Sequence, residues 1–283
     1  MSSLRVTTIR SEEVKKLLRL ERFPHIWCPG CGIGTVVKCY AEAVLKSGIP
    51  EEKHVVISGI GCAARAPGYL KLDGLHVLHG RPIPVAVGLK SVKPDLEVTV
   101  ISGDGDILTI GGNHFIHAIR RNDDINVILI NNFIYGMTGG QYGATTPLGA
   151  ITTTSPYGFV EGSFNVPYLA AALGANFVAR WTPLHTKELV DAILKMFKVD
   201  GFAIVEIVLP CLIYGEMNNL PPLEMLKLLK ERVVIDHEAD LSKIDIDLRD
   251  PKKPIVVGNF VNRVKPSYQT RYMEIIKKAR GGK

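Results

Sequence analysis

Apolar residues in this chain come in short runs that stop at glycine or asparagine. Residues 55–58 (Val-Val-Ile-Ser) form one, ending at Gly59 and Gly61; residues 96–102 form another, ending at Gly103-Asp104-Gly105-Asp106. Residues 126–130 stop at Asn131-Asn132, and 176–179 and 202–209 are two more. Their length, β-branched content and flanking turn residues predict strands. Between them the apolar spacing becomes helical: 35–45 up to the Ser47-Gly48 stop, from Asp106 to about Arg121, and 186–197. An amphipathic helix is also expected over 11–21, with Ser11 as its cap and Glu12 and Glu13 in the first turn.

Strand, helix, strand in this rhythm predicts an α/β fold: a parallel sheet with helices on both faces. Ligands of such sheets gather outside the carboxyl ends of the strands. Gly61-Cys62, Asp104, Asn132 and Cys211 all fall at predicted strand ends, so four ends converge on one rim. We expect an N-terminal extension over 1–22, the α/β domain over 23–220, and over 221–283 a helix followed by an extended basic arm, because periodicity there is weak.

Composition narrows the class. The 283 residues are 46% hydrophobic and 22% charged, as in ordinary globular proteins. The first apolar run is interrupted by Lys15, Lys16, Arg19 and Arg22, so no signal peptide is expected. No charge lies between Asp124 and Glu161, but glycines, Pro147 and six threonines break that stretch, which argues against a membrane span. A cytoplasmic protein is the expectation. Of the net charge of +6, residues 251–283 carry +8, nine Lys or Arg against Glu274, leaving about −2 elsewhere. That tail reads as a solvated basic face or as a docking segment for a partner. Nucleic acid is not expected, since no recognised motif accompanies it.

The Gly-Asp-Gly at 103–105 opens a helix directly after a strand. Its glycines let backbone approach a phosphate and leave N–H groups free at a helix start. A carboxylate there would repel phosphate unless a divalent cation lay between them, and Mg²⁺ suits a carboxylate, neutral oxygens and phosphate. Asn132 supplies a neutral oxygen at the next strand end, and the Ile134 carbonyl could supply a third. The run from Gly103-Asp104-Gly105 to Asn132 resembles the diphosphate signature of thiamine-diphosphate enzymes. The resemblance implies Mg²⁺ on Asp104, Asn132 and Ile134, with the diphosphate contacted around Gly105, Asp106, Gly136 and Met137.

Five cysteines stand at 28, 31, 39, 62 and 211. Trp27-Cys28-Pro29-Gly30-Cys31-Gly32 alone could be a redox pair, half a zinc site or half an iron–sulfur site. With Cys62 and Cys211 on the rim, zinc and a [4Fe–4S] cluster both remain open. Cys39, in mid-helix, reads as a buried small residue.

The 27–34 segment, Gly59-Ile60-Gly61-Cys62, His79-Gly80-Arg81, the Asp104 signature, the 132–141 segment and Pro210-Cys211 together resemble, in order, the β subunit of 2-oxoacid:ferredoxin oxidoreductases. The resemblance implies a thiamine-diphosphate-binding fold and a [4Fe–4S] cluster on Cys28, Cys31, Cys62 and Cys211. It also places Ile60, Gly61, Cys62, Ala63 and His79 against thiamine diphosphate, with His79 a possible catalytic contact. His54, His76, His114, His117 and His185 are read as structural or surface residues. The implied activity is oxidative decarboxylation of a 2-oxoacid with coenzyme A, electrons passing through the cluster to ferredoxin. The acid that activates thiamine has no counterpart here, so the resemblance implies an α subunit carrying the pyrimidine-binding domain, alone or fused to a γ domain. The segments at 135–141 and 145–147 resemble 2-oxoglutarate enzymes more than pyruvate ones; branched-chain enzymes share much of the pattern, and Tyr142-Gly143-Ala144 departs from it, so pyruvate and branched-chain 2-oxoacids stay as alternatives. A zinc-stabilised interaction subunit without catalysis is the rival of another class.

Overall fold

The computed structural model describes residues 12–250 and 252–281. Eight strands form one sheet: β1 (His54–Ser58), β2 (Asp73–His76), β3 (Glu97–Gly103), β4 (Asn126–Asn131), β5 (Phe177–Trp181), β6 (Ala203–Val208), β7 (Val233–Ile235) and β8 (Ile255–Asn262). Their spatial order is β2-β1-β3-β4-β6-β5-β8-β7. The strands from β2 to β5 run parallel, while β8 lies antiparallel to β5. Every residue of β1, β4, β5 and β6 is buried, which is why these strands read as unbroken apolar runs rather than alternating ones.

Helices cover both faces, as the rhythm predicts. One core layer holds α2 (Ile33–Ser47) and α6 (Thr186–Met196), with Val36, Tyr40, Val44, Leu189 and Ile193 against the sheet. The other holds α3 (Pro82–Val92), α4 (Gly112–Arg121) and α5 (Val166–Leu173), with Ile83, Ala86, Phe115, Ile119 and Ala170.

Several local expectations are corrected. The N-terminal helix is only α1 (Glu12–Lys16); Ser11 lies outside the described residues. Leu18 then bridges Leu70, and Lys71 donates to the Leu17 carbonyl at 2.8 Å, so pairing with a distant segment takes the chain out of helix. After Asp104 the chain enters a π-helical turn, Gly105–Ile110, before α4. The weakly periodic tail contributes β7 and β8 to the sheet. Gly258 and a register shift opposite Val178/Ala179 break the alternation that would have marked β8.

The final helix, α9 (Tyr268–Ala279), is tied below the sheet. Tyr268 N donates to the Asn122 carbonyl, and Asp200 accepts from Ser267 N and Thr270 Oγ1. Asn122 and Asp200 precede β4 and β6, so the basic helix sits at the strands' amino ends, the pole opposite the carboxyl-end rim.

Candidate functional site

The strand order turns at β1: the chain moves outward to β2, then returns to place β3 on the other side. A cleft opens over the carboxyl ends at this switch point, where α/β sheets bind ligands. It is lined by the turn after β1 (Ile60 to Ala63), His79, the turn after β3 (Gly103 to Asp106), Ile130, Asn132 and the 134–138 segment. Sequence-selected residues from four separate segments thus meet on one surface. Tyr135, Thr138, Gly103 and Ile130 join them without having been singled out as contacts.

Asp104 is 2% exposed. Its Oδ2 accepts from Thr145 Oγ1, and burial pushes the carboxyl up to about 7. Asn132 Oδ1 stands 3.1 Å from Asp104 Oδ1 and 2.8 Å from the Ile134 carbonyl oxygen, so three acceptors converge. Turning the amide over would let its N–H donate to both. With the oxygen inward, a cation reconciles the three.

The Asp106 side chain has a task besides the diphosphate contact expected around it. Its Oδ1 accepts from Gly80 N (2.7 Å), Ile60 N (3.2 Å) and His79 Nδ1 (2.5 Å), and its Oδ2 accepts from Ser102 Oγ (2.7 Å). The buried carboxylate therefore ties the turn after β1 to the His79 loop. It leaves His79 Nε2 as the ring nitrogen available to a ligand. Two glycines make room: a Cβ on Gly59 would lie 2.0 Å from Asp106 Oδ2, and one on Gly105 would lie 2.4 Å from the Tyr135 ring. Tyr135 closes over Gly105, donates to its carbonyl at 2.9 Å and meets the His79 ring edge-on.

Two of the cysteines, Cys62 and Cys211, border this cleft, whereas Cys28 and Cys31 line a neighbouring cavity with Trp27 and Gly32. Cys62 lies on its wall, and a Cβ on Gly136 would stand 3.1 Å from Cys211 Sγ. Trp27 Nε1 donates to the Cys62 carbonyl at 2.7 Å, fastening the Cys-x-x-Cys loop to the turn after β1. Electrostatic interaction connects every pair among Cys28, Cys31, Cys62 and Cys211. Burial, followed by repulsion from the other thiols, pushes Cys31 up to about 11; burial also raises Cys62 and Cys211. Buried thiols of this kind stay protonated until a metal displaces the protons. Among the described residues, no three His, Cys, Asp or Glu side chains are gathered for a single ion. Cys39 lies apart in the core of α2, its Sγ 3.8 Å from the Thr186 carbonyl.

None of the other histidines named from the sequence lines the cleft. His54 is buried and its pKa falls to about 4 through burial; His76 pairs with Ser58, and His185 with Thr182. Thr145 was the hardest contributor to foresee. Its only signal was a threonine pair in an uncharged segment, and its partner lies 41 residues earlier.

Comparison with known proteins converges on the same region. The C-terminal TPP-binding domain of thiamine pyrophosphate enzymes matches residues 59–207. The 2-oxoglutarate synthase subunit KorB of Methanocaldococcus jannaschii is 45% identical over 93% of this chain and 97% of its own. Its counterpart from Methanothermobacter marburgensis is 41% identical over 96% and 95%. The solved 2-oxoglutarate:ferredoxin oxidoreductase of Magnetococcus marinus, with 2-oxoglutarate, coenzyme A and succinyl-CoA bound, superposes with a TM-score of 0.83. It is 30% identical, and the match covers 96% of this chain and 92% of that one.

Proposed function

The chain belongs to the thiamine-diphosphate-binding β subunits of the 2-oxoacid:ferredoxin oxidoreductases, and from that membership we propose that it forms half of a 2-oxoglutarate-oxidising active site together with its electron outlet. One juxtaposition carries the reading: the converging oxygens of Asp104, Asn132 and Ile134 share a cleft with the Cys62 thiol.

The oxygens fit Mg²⁺. Neighbouring vertices of an octahedron with bonds of about 2.05 Å lie about 2.9 Å apart, and the oxygens of Asn132, Asp104 and Ile134 are separated by 2.8 and 3.1 Å. Asp104 would neutralise part of the cation, and the uncharged backbone around Gly105, Gly136 and Met137 would receive the diphosphate without adding a competing charge. Asp106 holds the turn of Ile60, Gly61 and Ala63 through the Ile60 amide and orients His79, which would contact the cofactor. When bound, thiamine diphosphate supplies the nucleophile and the electron sink for decarboxylation.

Family membership favours a [4Fe–4S] cluster over zinc on these thiols. Cys28, Cys31, Cys62 and Cys211 lie near enough to interact electrostatically, as ligands of one group must. A [4Fe–4S] cluster supplies one-electron transfer at low potential. Cys62 belongs to both sites, which sets the electron outlet beside the cofactor.

The substrate reading rests on relatives named for 2-oxoglutarate and on the neighbour that holds it. The proposed partners are an α subunit bearing the pyrimidine-binding half, and ferredoxin as acceptor. The test is an anaerobic, coenzyme-A-dependent assay of the co-expressed α–β complex against a panel of 2-oxoacids, with metal analysis alongside. The expected result is preference for 2-oxoglutarate with about four irons per chain. Zinc without iron would remove the electron-transfer reading.

A further inference from the structure

Next to the cleft, the sheet buries a charged pair that the site described above does not use. Arg180 on β5 and Glu206 on β6 are register partners, each 1% exposed. Arg180 Nε donates to Glu206 Oε2 at 2.7 Å, and its Nη1 donates to the carbonyls of Ile244 (2.7 Å) and Val256 (3.4 Å). The other carboxylate oxygen of Glu206 accepts from Asn131 Nδ2 at 2.7 Å. Asn131 Oδ1 in turn accepts from the Phe133 amide at 3.2 Å. Both ends of the Asn131 side chain are therefore engaged, and a continuous run of hydrogen bonds joins the guanidinium to the backbone on the far side of Asn132.

Phe133 has a φ of 69°, in the left-handed region that a bulky side chain rarely occupies unless its surroundings impose it. Here the bond to Asn131 holds its amide, while its ring is buried and packs against Tyr214. The consequence falls on the residues at either side. Along a strand, successive residues point to opposite faces; a left-handed residue between Asn132 and Ile134 breaks that alternation. It lets the side-chain oxygen of one and the carbonyl of the other face the same point.

We propose that Asn131, clamped by the buried Arg180–Glu206 pair, is a positioning residue that sets the left-handed turn at Phe133 and so aims Asn132 Oδ1 and the Ile134 carbonyl at the cation; this rests on the reading of Asp104, Asn132 and Ile134 as a divalent-cation site. A buried ion pair is weak evidence of stabilisation by itself. As an orienting clamp behind metal ligands it has a specific use, since groups that hold ligands govern metal affinity nearly as strongly as the ligands do. Through Ile244 and Val256, the clamp also anchors the tail segment to the cation site.

The test uses the co-expressed α–β complex, stripped of divalent ions and cofactor under anaerobic conditions. Mn²⁺ is titrated at saturating thiamine diphosphate, with free Mn²⁺ read by electron paramagnetic resonance. Asn131→Ala is expected to weaken Mn²⁺ binding about 10- to 100-fold, with the cluster absorbance unchanged. Asn131→Ser keeps an acceptor for the Phe133 amide but cannot reach Glu206, so a smaller loss is expected; it serves if the alanine variant does not assemble. Arg180→Met combined with Glu206→Gln removes the ion pair but keeps an acceptor for Asn131, and is expected to weaken Mn²⁺ binding less than Asn131→Ala does. Parent-like affinity in the Asn131 variants would overturn the inference alone. A parent complex that binds no Mn²⁺ in a cofactor-dependent way would undo the cation-site reading beneath it.

Discussion

At the scale of single residues, the site depends on side chains that exclude one another's alternatives. Gly59 is required because Asp106 occupies the space a Cβ would take, and backbone on one side leaves the carboxylate nowhere to retreat. Gly59→Ala should displace Asp106, release His79 and destabilise the chain by about 1–3 kcal/mol. The measurements are a lowered melting temperature and weaker thiamine diphosphate binding by titration calorimetry. A second residue-scale prediction lies away from the cofactor. Burial raises Glu97 from 4.5 to about 7, with the amide of Asn126 as its hydrogen-bond partner. Its folded pKa exceeds its unfolded one, so its contribution to stability is full below pH 4.5 and is lost as pH rises through 7. Glu97→Gln should therefore melt above the parent at pH 8, and the difference should shrink at pH 5. A pH-independent difference would show that Glu97 is not the titrating group. At this scale Asp104 and Asn132 stand out in the sequence because cation chemistry demands particular residue types, whereas the four-thiol set needed the family resemblance; the structure brings Asp104, Asn132 and Cys62 to one cleft. Asp106 was legible as important but not in its role, since nothing in Gly-Asp-Gly-Asp says which acid turns inward.

At the scale of elements, legibility followed burial. The central strands were readable because both of their faces are covered, leaving uninterrupted apolar runs. β2 was not, as all four of its residues are exposed, and β8 was not, because Gly258 and the irregular register hide its period. Yet β8 does structural work that a solvated arm would not. It covers the edge of β5 along Phe177 to Arg180, and the Val256 carbonyl beside it accepts from Arg180. An uncovered edge strand of this apolar character invites association with other chains. Truncation after Lys253 should accordingly give an aggregation-prone chain, whereas truncation after Arg263 should leave β8 paired and the chain monodisperse. Size-exclusion chromatography with light scattering separates the two; a soluble, monodisperse short form would show that β8 is dispensable.

At the scale of the whole molecule, the cleft has one wall where a thiamine site needs two. On the proposed reading this chain would offer a cation site and a bed for the diphosphate, but among the described residues the cleft shows no further acid: Asp104 belongs to that proposed site, and Asp106 is bonded to Ile60, His79 and Gly80. The apolar side chains of Ile60 and Met137 stand 39% and 49% exposed on its rim. The uncharged segment beyond adds Leu148, Tyr157 and Val160 to the exposed surface. The basic helix α9 is at the other pole, so a partner that completes the cleft would approach through neutral surface rather than through the tail's charge. Two consequences can be measured. The isolated chain, even with its cluster assembled, should show no 2-oxoacid- and coenzyme-A-dependent dye reduction, and co-expression with the α subunit should restore it. Formation of that complex should also depend little on salt, because screening weakens charged contacts far more than apolar ones. Full turnover by the lone chain would mean that the activating acid lies here after all. A complex that dissociates between low and moderate salt would point to the basic tail as the docking surface.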